Sequence, residues 1–112
     1  MCDTNQAMII LKKVYEEDER ILGVINQAFL YGSYARGDYS PESDVDIMLL
    51  VPMSQEEIAD HRMSLAEVSS RLSLEHDVTV SVMVEPEEQF NRYKNLLPFY
   101  KNVLNEGVRY AG

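Results

Sequence analysis

Residues Val45 to Val51 read VDIMLLV, a nearly unbroken apolar run closed by Pro52. An alternating strand leaves one face wet, whereas a continuous apolar strand must be covered on both faces. The run therefore predicts a central strand, Val45 to Val51, with helices packed on either side of its sheet. Its first residues add a chemical constraint. Asp44 and Asp46 are two apart, and residues two apart in a strand project from the same face. Carboxylates aimed at one place repel each other and lose hydration, so the pattern needs a compensating cation. A hard divalent ion with oxygen ligands, most simply Mg²⁺, meets that need.

Upstream lies Tyr31-Gly32-Ser33, where a Gly-Ser turn can offer backbone N–H groups and a hydroxyl to a phosphate. A phosphate cradle beside a carboxylate pair points to metal-assisted chemistry on a nucleoside triphosphate.

The rest of the chain supplies a frame for this segment. A helix is expected from Thr4, as N-cap, to about Glu19, with Met8, Leu11 and Val14 as an apolar stripe. A strand follows at Ala28 to Tyr31, then a short helix from Ser33 to Arg36 and a loop through Gly37 and Pro41. Ser54-Gln55-Glu56-Glu57 has the form of a capping box and opens a long helix that buries Ile58, Leu65, Val68 and Leu72. Asp77 to Val84 alternates as a third strand, with Val78, Val80, Val82 and Val84 on one face and Asp77, Thr79 and Ser81 on the other. Pro86 and Glu87 start a helix to about Lys94. A last helix runs from Pro98 to about Asn105 and stops at Gly107. The order describes an α/β (α+β) chain, a small mixed sheet with helices against it, in a single domain over residues 1–112.

Charge narrows the partners. Ten basic against nineteen acidic residues leave a net charge of −9. That opposes binding to a long nucleic-acid backbone and suits a small substrate with a metal, or a basic protein. No apolar run approaches membrane-spanning length, and MCDTNQ lacks the features of a secretory signal. Cys2 is the single cysteine, which excludes a disulfide scaffold. It is expected to be an exposed thiol in a reducing cytoplasm.

Gly32-Ser33, Ala35-Arg36-Gly37, Ser43-Asp44 and Val45-Asp46, followed by the apolar strand, resemble the signature of the nucleotidyltransferase superfamily that includes DNA polymerase β. Within it the pattern is similar to the minimal nucleotidyltransferases of bacteria and archaea, and Asn102 to Tyr110 resembles their C-terminal segment. The resemblance implies a polymerase β palm-like fold. It implies that Asp44 and Asp46 ligate two Mg²⁺ ions, and that Gly32 and Ser33 hold the terminal phosphates. Arg36 would add positive charge there or brace the turn through Asp38 or Glu42. Active members usually carry a third carboxylate on the next strand, for which Asp77 is the candidate. Thr79 and Ser81 compete for that position, and either would leave the third acid missing. The implied reaction moves a nucleoside monophosphate, AMP from ATP, to a hydroxyl. The implied role is an antitoxin acting on a tyrosine of a helical HEPN-type partner. The alternative is an inactive nucleotide- or partner-binding module, and homo-oligomerisation is left open.

Overall fold

A computed structural model describes residues 2–111. Four strands form one sheet in the order β3-β2-β1-β4: β1 Gln27–Tyr31, β2 Val45–Val51, β3 Val80–Pro86 and β4 Val108–Ala111. The β1–β2 and β1–β4 pairs are antiparallel, and β2–β3 is parallel. Among the described residues six helices accompany them: α1 Thr4–Leu22, α2 Ser33–Arg36, α3 Gln55–Ala59, α4 Arg62–His76, α5 Glu87–Tyr93 and α6 Pro98–Glu106. As the apolar run requires, β2 is central. All its residues except Asp46 are buried.

Each sheet face carries its own core. Ala28, Leu30, Ile47, Leu49 and Val51 face one way, against Ile10, Leu11 and Val14 of α1 and Val68 and Leu72 of α4. Phe29, Met48 and Leu50 face the other way, against Phe90 of α5 and Tyr100 and Val103 of α6. Each fully buried aliphatic or aromatic side chain contributes about 1.5–3 kcal/mol, so this alternation fixes the register.

Local chemistry moves some expected boundaries. The N-cap of α1 is Asp3, whose carboxylate accepts from Gln6 N at 2.8 Å. Thr4 is inside the helix, and its hydroxyl donates to Tyr34 O at 2.9 Å, tying α1 to α2. The capping box at Ser54 and Glu57 forms, but it opens a short helix. The chain tightens where His61 N reaches back only to Ile58 O (3.0 Å), and α4 restarts after it. Ile58, Leu65, Val68 and Leu72 are all buried as expected. Cys2 is half-buried and packs on the α1-side core, so it is not the exposed thiol the sequence suggested.

Gly107 ends α6 where that helix passes β1. A Cβ there would overlap Val103 O and come within 3.2 Å of Leu30 O. Gly107→Ala is expected to destabilise the fold by about 1–3 kcal/mol, because both obstacles are backbone. Chemical denaturation measures it.

Candidate functional site

The site is assembled where β1 ends and β2 begins. Tyr31, the last residue of β1, pairs with Asp46. Gly32 follows with φ 76° and ψ −157°, backbone that a side chain disfavours. A Cβ on Gly32 would collide with the Asp46 carboxylate, so the turn closes over that group with nothing larger than hydrogen between them. Ala35 N and Arg36 N both donate to Gly32 O at 3.1 Å, and Gly37 N donates to Ser33 O at 2.9 Å. Among the described residues, the Ser33 hydroxyl and the Ser33 and Tyr34 amides have no protein partner. Gly32→Ala should therefore cost about 1–3 kcal/mol in backbone strain and displace Asp46. A rise in the nucleotide KM beyond the change given by Gly37→Ala, where a Cβ meets nothing, would check it.

Asp44 is presented by a closed loop. Ser40 N donates to Ser43 Oγ at 2.8 Å and Ser43 N to Ser40 O at 3.0 Å. Val45 N then donates to Thr79 O at 2.8 Å, which starts the parallel ladder. Asp44 is exposed and Asp46 half-buried. Burial pushes the Asp46 carboxyl above the ordinary carboxylate range, Asp44 pushes it further, and Arg36 opposes them weakly. Among the described residues neither acid forms an ion pair.

These features fit a divalent cation. The two carboxylates are near enough for Asp44 to push Asp46 up, and neither is in an ion pair among the described residues. Mg²⁺ is commonly held by one or two carboxylates together with substrate phosphates and water. Arg36 is engaged elsewhere, bonding Asp38 at 3.2 Å and Glu106 at 3.1 Å. The sequence offered Asp38 or Glu42 as a local brace; Asp38 is the one Arg36 bonds, and Glu42 accepts from Ser40 Oγ instead. Glu106, on α6, is seventy positions away and invisible to local spacing.

The structure does not bring Asp77 to the pair. The third strand starts at Val80 rather than Asp77. Asp77 is the left-handed C-cap of α4, with φ 51° and its N–H bonded to Ser73 O. It lines a cavity of about 300 Å³ with Tyr34, Tyr39 and Pro41. Among the described residues no three His, Cys, Asp or Glu side chains cluster tightly enough to hold a metal ion. In the parallel register the residue beside Asp46 is Ser81.

The aromatic groups near the turn are packed on protein. Tyr34 is buried and stacks on Tyr39 at 4.6 Å. Tyr31 meets Phe99 edge-on at 5.5 Å, and its hydroxyl is pushed up to about 12 by burial and then by Asp46 and Glu85. A larger cavity, about 830 Å³, lies at the opposite ends of β2 and β3, around Val51, Pro52 and Pro86. It is about 20 Å along the strands from the acids, so size and chemistry disagree there. The acid pair and the turn remain the candidate site.

The four-stranded mixed sheet with helices against it is shared with known proteins. Residues 8–110 match the nucleotidyltransferase domain family. Two proteins of Methanocaldococcus jannaschii, each named "Putative protein adenylyltransferase", are 35% and 34% identical to the chain. The matches span 92% and 88% of it, and 95% and 93% of theirs. A structure from Sulfolobus solfataricus, described as "a putative nucleotidyltransferase", superposes with a TM-score of 0.61 at 22% identity, over 96% of this chain and 81% of that one. A toxin–antitoxin structure with AMP-PNP superposes at 0.56 and 17% identity, over 99% and 75%. A MntA-HpeT toxin–antitoxin structure gives 0.55 at 16%, over the same shares. The chain belongs to the nucleotidyltransferase domain family. It is a transferase of that type, and its fold is shared with a chain of the MntA-HpeT toxin–antitoxin structure.

Proposed function

We propose that this protein transfers AMP from ATP to a hydroxyl on a partner protein, a helical protein of the HEPN type. The observation that carries the reading is the Asp46 carboxylate seated under Gly32, with Asp44 beside it and no ion pair on either. Asp44 and Asp46 would hold Mg²⁺. The metal, when bound, neutralises charge on the phosphates and on the entering and leaving oxygens. Ser33 and the free amides at the start of α2 bind the terminal phosphates. The acceptor oxygen forms a bond to the α-phosphorus, the bond from that phosphorus to the bridging oxygen breaks, and pyrophosphate leaves. The hydroxyl proton passes to water beside Asp46. The names of the two M. jannaschii relatives support a protein acceptor, and the nucleotide analogue in one structural neighbour supports a triphosphate substrate. The net charge of −9 disfavours a long nucleic acid and suits a basic partner.

A second reading has one observation in its favour. Ser81, not a carboxylate, stands beside Asp46, so the third carboxylate that the resemblance implies is absent from that position. A binding antitoxin that works by occlusion would keep the cradle and lose the chemistry. Incubating the pure protein with labelled ATP, Mg²⁺ and the protein encoded beside it separates the two. Label on that partner supports transfer. A stable complex without label supports occlusion.

A further inference from the structure

We infer that the outer edge of β3 is the docking strand for the acceptor, which binds as an extended, basic, tyrosine-bearing segment and forms a fifth strand. The inference rests on the nucleotidyl-transfer reading above.

The sheet order leaves one side of β3 without a strand partner among the described residues. The ladder shows which of its groups point there. Thr79 O receives Val45 N, so Thr79, Ser81, Met83 and Glu85 turn their backbone groups toward β2. Val80, Val82 and Val84 turn theirs outward. Val80 N is satisfied by Ser73 Oγ at 2.9 Å. The N–H and C=O groups of Val82 and Val84 face away from the sheet.

This edge has little of the usual protection. Val80 to Val84 contains no proline, lysine or bulge, features by which exposed edges normally refuse a partner. A cavity of about 300 Å³ runs along it, lined by Ile58, Leu65, Ala66, Val82, Met83 and Val84. Val82 and Val84 project to the α4 face and Met83 to the other, so a cavity touching all three follows the strand's rim. Its walls can take alternate side chains of an added strand, the arrangement of β-augmentation.

Geometry selects the acceptor. Strands lie about 4.8 Å apart, so a residue added beside Ser81 is about 10 Å from Asp46, two strands away. Ser81 and Asp46 share a face, and the serine is small and half-buried. A tyrosine lying across Ser81 carries its hydroxyl toward the acid pair, whereas a serine or threonine hydroxyl stays over its own strand. Charge selects the segment. Glu85 closes one end of the edge, and the net charge of −9 draws a basic chain. Arg62, also on the cavity wall, tempers this locally.

The test uses the ¹⁵N-labelled full chain and a seven-residue peptide of valine and threonine with a central tyrosine and a lysine at each end. Binding should slow amide exchange at Val82 and Val84. With ATP and Mg²⁺ the tyrosine should gain one AMP. Proline in place of a peptide valine should weaken binding and transfer about tenfold or more, and serine for tyrosine should keep binding and lose transfer. Val82→Lys should reproduce the proline effect with ATP binding intact, and the peptide variants give the same information should that variant not fold. Equal transfer to the proline peptide, or protection elsewhere, overturns the proposal. So does protection of Val82 and Val84 that grows with protein concentration alone, which would make the edge a self-association surface. ATP binding is measured separately. Normal ATP binding with no peptide on β3 removes only the docking inference. Peptide on β3 with no ATP binding removes the transfer reading.

Discussion

Asp46→Asn is expected to lower nucleotidyl transfer by about 10³-fold or more and, at neutral pH, to make the folded protein more stable. The first effect follows from the work the proposed cation does, because stabilising charge on a transferring phosphoryl group is the largest single contribution to such reactions. The second follows from Asp46 itself. Burial and the adjacent Asp44 hold its carboxyl above the ordinary range. A group whose folded pKa is raised contributes stability that is lost as pH rises through that pKa. Ionising Asp46 is therefore a cost to the fold, and an amide removes its repulsion with Asp44. Activity and thermal unfolding measured on one preparation decide it. Loss of activity together with loss of stability would make Asp46 a structural residue.

Asp18→Asn should raise stability at pH 8 by about 4 kcal/mol and flatten its dependence on pH. Asp18 follows Val14 by one helical turn on the buried face of α1, is 1% exposed, and has no hydrogen-bond partner for either carboxylate oxygen among the described residues. Burial, and then Glu17, push its carboxyl up to about 7. The unfolded chain ionises it near 3.8. Its stability contribution is therefore complete below about pH 4, falls as pH rises toward 7, and is lost above that. Glu17 works in the opposite sense. The hydrogen bond from Arg71 lowers its carboxyl, so its contribution is present at neutral pH and fades in acid. Subtracting the variant's urea-unfolding curve from the wild type's between pH 4 and 8 isolates Asp18. A difference independent of pH would show that the group is hydrated or paired in solution.

The turn and strand that carry the candidate site were more legible in the sequence than the frame around them. Asp44, Asp46, Gly32 and Ser33 lie within one short stretch, and their relation is set by strand period and one turn, both readable locally. The same holds for β2, α2 and the capping box at Ser54. Asp77 failed because alternation continues upstream of the real strand. A period of two registers side-chain type, and Asp77 is an aspartate in left-handed backbone that ends α4. β4 was not anticipated as a strand. Its four residues are half-exposed or exposed, and they are held as a strand by pairing with β1, which the chain reaches only after α6. The break between α3 and α4 leaves the apolar pattern intact, since Ile58 and Leu65 are buried on either side of it. Asp18 reads as one of several acids near the end of α1. Only the packing shows that it faces inward.

Calorimetric titration of ATP into the wild type and Asp44→Asn, each with Mg²⁺ and with EDTA, tests the acid pair most directly. Asp44 is exposed and lies before the strand, so its replacement leaves the cores untouched. If Asp44 and Asp46 hold the metal, wild-type binding should be at least about tenfold tighter with Mg²⁺ than with EDTA, and the advantage should largely disappear in the variant. Equal affinity with and without Mg²⁺, or an undiminished Mg²⁺ effect in Asp44→Asn, would contradict it.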